Sequence, residues 1–200
     1  MKVFLSVLFS TLLVAALGGC SVPTRINSET AAASEVANSK VINSPMMIDY
    51  AFQPADLDIT VNPIGNTGSA CSFPLALSQA FYSTFDAVNH QAFRNIVGPN
   101  SRGAYRVRFE LNSFDNSLVF ASRFFGTTAV AHSDLTLRVS VIDPTGNEIT
   151  RQLVRGSGQQ QTDVGNCSNG DQAVAGAVQK ALRQSAEEYA YRVINSLNIK

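Results

Sequence analysis

The sequence predicts an α+β fold of two layers: a four-stranded or larger antiparallel sheet with two helices packed on one face. Three observations predict it. Between Tyr105 and Gln159 the chain carries four strand-like runs with alternating apolar and polar residues. Before them, Leu77, Phe81, Phe85 and Val88 recur at helical spacing. After them, a longer helical pattern runs from Val174 to Leu197. A half-apolar sheet needs a cover, and two amphipathic helices supply one.

The chain begins with a different kind of segment. Lys2 precedes a nearly unbroken apolar run from Val3 to Ala16, in which Ser6, Ser10 and Thr11 are the only polar members. That is the length of a signal-peptide core and short of the about 20 residues needed to cross a bilayer as a helix. Leu17-Gly18-Gly19-Cys20 closes it. A Leu and two small residues before a cysteine resemble the lipobox of bacterial lipoproteins. On that reading, residues 1–19 are removed, Cys20 is lipidated, and the protein meets the membrane through an N-terminal lipid. An ordinary signal peptide with Cys20 as a plain thiol is the alternative. Residues 20–43 then read as the lipidated cysteine and a flexible tether, rich in Ser, Ala, Asn and Thr and without sustained apolar period. On the same reading residues 44–200 form a single α+β domain outside the cytoplasm.

Composition narrows the function. Fifteen basic residues balance fifteen acidic ones. A formal net charge of zero gives no broad attraction to nucleic acid. With Cys20 lipidated, Cys71 and Cys167 remain, and an even pair in an exported chain favours a disulfide. Two buried free thiols and a metal site are the alternatives. The only histidines, His90 and His132, share no ligand spacing with either cysteine, so no metal or other cofactor is expected.

Taken in order, residues 46–52 and 57–61 read as strands, and Asn62 to Gly68 as a turn-rich loop. The first helix follows, with Ser72 as candidate N-cap and Pro74 near the first turn. Gly98 to Gly103 breaks the chain. Strands are expected at 105–111, 118–130, 135–141 and 149–159, with a tight turn at Asp143-Pro144-Thr145-Gly146-Asn147. The second helix, capped by Asn169 or Asp171, runs to the C-terminus. Its alanines 173, 175, 177 and 181 permit close approach to a neighbour. Cys71 and Cys167 each precede a helix in this scheme, so a bond between them brings both helix N-termini to one end of the sheet.

No catalytic pattern is expected. His132-Ser133-Asp134 holds the residue types of a hydrolase triad, but consecutive strand residues point to opposite faces. No nucleophile elbow, Walker loop or dinucleotide fingerprint is present. Asp49 and Asp58 read as isolated strand carboxylates. The expectation is a protein that is not an enzyme.

Binding is the remaining class. Arg106, Arg108 and Arg138 fall on the polar side of their strands, with Arg123, Arg151 and Arg155 near them in sequence. They form a candidate basic patch for an anionic envelope lipid or glycan. The plainer reading is a solvated face balanced by Glu110, Asp134 and Glu148.

The layout of lipobox, polar tether, helix, antiparallel meander and Ala/Val-rich C-terminal helix resembles the YajG family of small bacterial lipoproteins. The best match runs from about Val97 to Glu188, with the Gly98-Pro99-Asn100 entry, the Tyr105–Leu111 strand, the strand begun by Asp134, the Gly146-Asn147 turn and the Ala173-Val174 helix start. More distantly it is similar to LptE-like, CsgG-like and TolB N-terminal envelope proteins. The resemblance implies an outer-membrane lipoprotein on the periplasmic face, with no chemistry to carry over. Ser21 after the lipidated cysteine agrees with that sorting. The expected function is an accessory lipoprotein with a protein partner in an envelope assembly. A binding module for an anionic lipid or glycan is the alternative.

Overall fold

A computed structural model describes residues 20–21, 23–24, 26, 40–64, 71–99, 101–123, 126–164, 167 and 169–199. The expected signal segment, the middle of the expected tether and the turn at Gly65 to Gly68 lie outside the described residues. In chain order the elements are β1 (Cys20–Ser21), β2 (Met46–Tyr50), β3 (Asp58–Val61), β4 (Pro63–Ile64), β5 (Cys71–Ala76), α1 (Ser78–Ala92), β6 (Tyr105–Arg123), β7 (Gly126–Ile142), β8 (Glu148–Val164) and α2 (Gly170–Arg192). Short 3₁₀ turns lie at Pro54–Asp56 and Ile194–Ser196.

Three very long strands replace the four expected short ones. β6 and β7 pair antiparallel from Arg106↔Ile142 to Arg123↔Gly126, and β8 continues the ladder from Thr127↔Val164 to Ile142↔Glu148. The polar stretch after Leu111 reads as a break. Instead, a register shift between Leu111 and Ser113 absorbs a residue, and the ladder resumes at Ser113↔Thr136.

The sheet is mixed rather than purely antiparallel. β2 and β4 both pair with β6 in parallel, at Met46↔Tyr105 to Tyr50↔Phe109 and at Pro63–Ile64 beside Leu118–Val119. A parallel neighbour requires a long crossover, and the chain between Tyr50 and Tyr105, which includes α1, provides it. The result is a five-stranded sheet in an α+β fold.

A second, three-stranded sheet has the order β1-β5-β3. It corrects the expected start of the first helix. Residues 71–76 are strand, with Cys71, Phe73 and Leu75 buried on alternate positions. Ser72 is therefore no N-cap, and Pro74 sits opposite Thr60 in a ladder. The period changes from two to helical at Leu77. The α1 N-terminus takes its partner from β3: Asp58 Oδ1 accepts from the Ser78 backbone N–H at 3.1 Å.

Both helices cover the same face of the large sheet. Phe109 of β6 lies 5.3 Å from Phe85 of α1 and 5.1 Å from Tyr189 of α2, measured between ring centroids. α2 follows the sheet closely because Gly156 and Gly158 of β8 leave room for it. A Cβ at either position would overlap the α2 backbone at Ala181 or Ala177. α2 ends at Arg192 and yields to the 3₁₀ turn rather than continuing to the C-terminus. Asn169 stands at its N-cap in the left-handed conformation, with no side-chain capping bond.

The two ends of the expected tether are joined to the body. Cys20–Ser21 pairs in parallel with Cys71–Ser72. Thr24 N–H donates to the Pro74 carbonyl at 2.9 Å. Ile42 is buried and exchanges backbone bonds with the end of α1, at Ala92 and Arg94. Lys40 Nζ donates to the Leu197 carbonyl at 2.6 Å.

Candidate functional site

Two places at opposite ends of the long strands gather the residues singled out by sequence. At one end stand the cysteines. Cys71 and Cys167 form a disulfide with Cα atoms 5.8 Å apart. Cys71 opens β5 rather than α1, so the bond ties the start of the small sheet to the α2 N-terminus. α1 begins seven residues farther on and does not share that end. The direction of the helices is as expected. Phe73 lies against Gly170 at the start of α2, and Asn89 of α1 meets Tyr189 near its end, so β5 and α1 run alongside α2 in the same sense. The Cys20 backbone is registered beside Cys71. A lipid on Cys20 would therefore attach at the disulfide end of the body.

The face of the large sheet away from the helices carries the arginines. Arg108 lies between two carboxylates, with its Nε 3.3 Å from Glu110 and 4.0 Å from Asp49. Arg138 Nη1 donates to the other Glu110 oxygen at 3.3 Å. Two arginines against two carboxylates leave this group without net charge, and exposed pairs of this kind stabilise weakly. Arg151 pairs with Glu148 at 2.6 Å. The structure thus brings Arg108 and Arg138 together through Glu110 and sets Arg106 apart.

Arg106 belongs instead to a cleft at the strand end farthest from the disulfide. Met47, Arg106 and Ile142 form one row across β2, β6 and β7. The loop before β6 and the β7–β8 turn rise on either side, enclosing about 480 Å³. Arg102 lines the same cleft. Gly103 and Gly146 hold φ of +78° and +94°, which fixes the bends that frame it. Asp143 also reaches the cleft, but its carboxylate is spent on its own turn. Oδ1 accepts from Thr145 N–H at 2.8 Å, Thr145 Oγ1 at 2.7 Å and Asn147 N–H at 2.9 Å. The Thr145 hydroxyl and then the Asn147 amide hold this carboxyl down at about 2. Sequence reading placed Arg106 on a sheet face and missed Arg102. The usable signal was topological: in an antiparallel pair, the Gly98–Gly103 loop and the Asp143–Asn147 turn must lie at the same end.

The other chemistry-bearing residues are dispersed. His132 and Asp134 are exposed while Ser133 is buried, as strand alternation requires. Asp49 pairs with Arg108 and Asp58 serves the α1 N-terminus, so the two carboxylates act separately. Tyr50 Oη donates to Asp86 at 2.8 Å. Burial, then the Asp86 charge, raises its pKa, so it stays protonated. Among the described residues no cluster of His, Cys, Asp or Glu has the makings of a metal site. None of the described helices is long and apolar enough to cross a membrane.

No protein-family model matches the chain, and none of the curated proteins matches it in sequence. Solved structures with a similar layout include a minor lipoprotein from Acinetobacter baumannii, at 11% identity and a TM-score of 0.42 over 78% of this chain and 93% of that one. A Xanthomonas campestris protein of the family DUF330 gives 8% identity and a TM-score of 0.44, over 88% of this chain and 93% of the other. A Helicobacter pylori protein described as a homolog of a neuraminyllactose-binding hemagglutinin gives 12% and 0.39, over 80% and 89%. At such values these likenesses assign neither a family nor a function to the chain.

Proposed function

We propose that the protein is a lipid-anchored lipoprotein of the bacterial outer membrane, facing the periplasm. In this reading it is a non-catalytic component of an envelope assembly that binds a protein partner. One observation carries the reading. Of the three cysteines, Cys71 and Cys167 are bonded to each other, and the third, Cys20, is the one that follows Leu17-Gly18-Gly19. A disulfide suits an oxidising compartment outside the cytoplasm. An acyl anchor at Cys20 would sit beside the disulfide, because Cys20–Ser21 pairs with Cys71–Ser72.

The test is a Cys20→Ser change followed by membrane fractionation and labelling with radioactive palmitate. The expected result is loss of label and movement of the mature chain to the soluble fraction. Persistence in the membrane fraction would overturn the anchor. Crosslinking in intact cells then tests the assembly role, which requires a discrete protein adduct.

A second reading, a binding module for an anionic lipid or glycan, is favoured by the cleft that Arg102 and Arg106 line.

A further inference from the structure

We propose that the cleft of Met47, Ala104, Ile142, Arg102 and Arg106 binds an amphiphilic anion, a phosphate headgroup on an apolar chain. The inference deepens the second reading above and is independent of the lipid anchor.

The floor is apolar. Met47 and Ala104 are buried and Ile142 is half-buried, all lining the same space. The rim is cationic. Among the described residues Arg102 and Arg106 face no carboxylate within ion-pair distance, whereas Arg108, Arg138, Arg151, Arg183 and Arg192 each do. The one acid in the cleft, Asp143, turns its oxygens to Thr145 and Asn147 and keeps its charge, so two guanidinium groups against one carboxylate leave the lining net cationic. Two unengaged guanidinium groups suit a phosphate, which accepts paired hydrogen bonds from each. The volume of about 480 Å³ falls within the about 300–1,000 Å³ usual for small-ligand sites. The Asp143 carboxylate, bonded to Thr145 and Asn147, holds the β7–β8 wall in place before a ligand arrives, which lowers the ordering cost of binding.

A solely polar anion would leave the Met47–Ile142 floor unused, and a neutral chain would leave both arginines unmatched. The shared chemistry is that of a membrane phospholipid and of a free alkyl phosphate.

The test is calorimetric titration of the purified full chain with dodecyl phosphate below its micelle concentration. Inorganic phosphate and dodecanol serve as comparisons. The expected result is saturable binding of dodecyl phosphate, at least tenfold tighter than either. Arg102→Gln/Arg106→Gln should weaken it tenfold or more, while Arg138→Gln on the same sheet face should leave it within twofold. Circular dichroism confirms that each variant folds. Absence of saturable binding, equal affinity for inorganic phosphate, or equal loss in Arg138→Gln would overturn the proposal. Cosedimentation with phosphatidic acid vesicles then separates the sources: binding sensitive to the double change assigns a membrane lipid, and its absence alongside dodecyl phosphate binding assigns the free amphiphile. The vesicle arm uses the Cys20→Ser chain, so that an acyl anchor contributes nothing to cosedimentation and failure here is distinguishable from failure of the anchor.

Discussion

Tyr189 Oη donates to Asn89 Oδ1 at 2.7 Å across 100 residues of chain, and both side chains are buried. This bond joins the two helices inside the aromatic cluster of Phe85 and Phe109. Tyr189→Phe keeps the ring packing and strands the Asn89 amide oxygen. The expected loss is about 1–3 kcal/mol, measured by urea denaturation. Tyr189→Phe/Asn89→Leu, which removes both polar partners, should lose less than Tyr189→Phe alone. Burial also raises the Tyr189 pKa. Its folded-state preference for the proton is intact below the ordinary tyrosine value of about 10 and is lost as pH climbs beyond it. Tyr189→Phe should remove that part of the alkaline instability.

Gly158 and Gly156 set the distance between β8 and α2. Gly158→Ala places a methyl against the Ala177 carbonyl, which belongs to helix backbone and cannot rotate away. The expected cost is about 3 kcal/mol or more, seen as a lower thermal midpoint. Gly98→Ala, with open space around it and no left-handed backbone, should stay within about 0.5 kcal/mol of the parent. Equal effects at the two sites would contradict the close approach.

The disulfide closes a loop with a sequence separation of 96. In the chain-entropy picture, Cys71→Ser/Cys167→Ser should cost about 4–5 kcal/mol, measured by denaturant titration. A loss below about 1 kcal/mol would mean that the unfolded chain is already compact. The same variant tests whether β1 depends on the bond, because hydrogen exchange at Ser72 should rise if it does.

Asp143 reports on the cleft wall. Its folded pKa is depressed to about 2 from the ordinary 3.8. The turn's electrostatic contribution is therefore present above the ordinary value and lost as pH falls toward 2. A carboxyl carbon NMR titration should find its midpoint near 2. Thr145→Val, which deletes the main donor, should move that midpoint upward.

The helices were legible in sequence because Leu77, Phe81, Phe85 and Val88, and the Val174–Leu197 series, repeat a pattern that local geometry alone explains. The strand faces were legible for the same reason at Tyr105–Leu111 and Leu135–Val141. What escaped was of two kinds. At residues 71–76 the turn chemistry of Ser72 and Pro74 competed with a period-two pattern at Cys71, Phe73 and Leu75, and burial in the small sheet decided for strand. The parallel pairing of β2 with β6 is a relation between distant segments, and nothing in Met46–Tyr50 encodes the direction of its neighbour. The cleft shares that origin, since Met47, Arg106 and Ile142 meet only through the register of three strands. Arg108 and Arg138 were visible as residues, but their neutralisation by Glu110 is a cross-strand fact.

The 19-residue length of β6 gives the molecule a ruler. At about 3.3 Å per residue, Arg106 stands roughly 55 Å from Arg123, the strand end near which Cys20, Cys71 and Cys167 gather. On the proposed anchoring at Cys20, the length of β6 sets how far the cleft lies from the anchored end of the body.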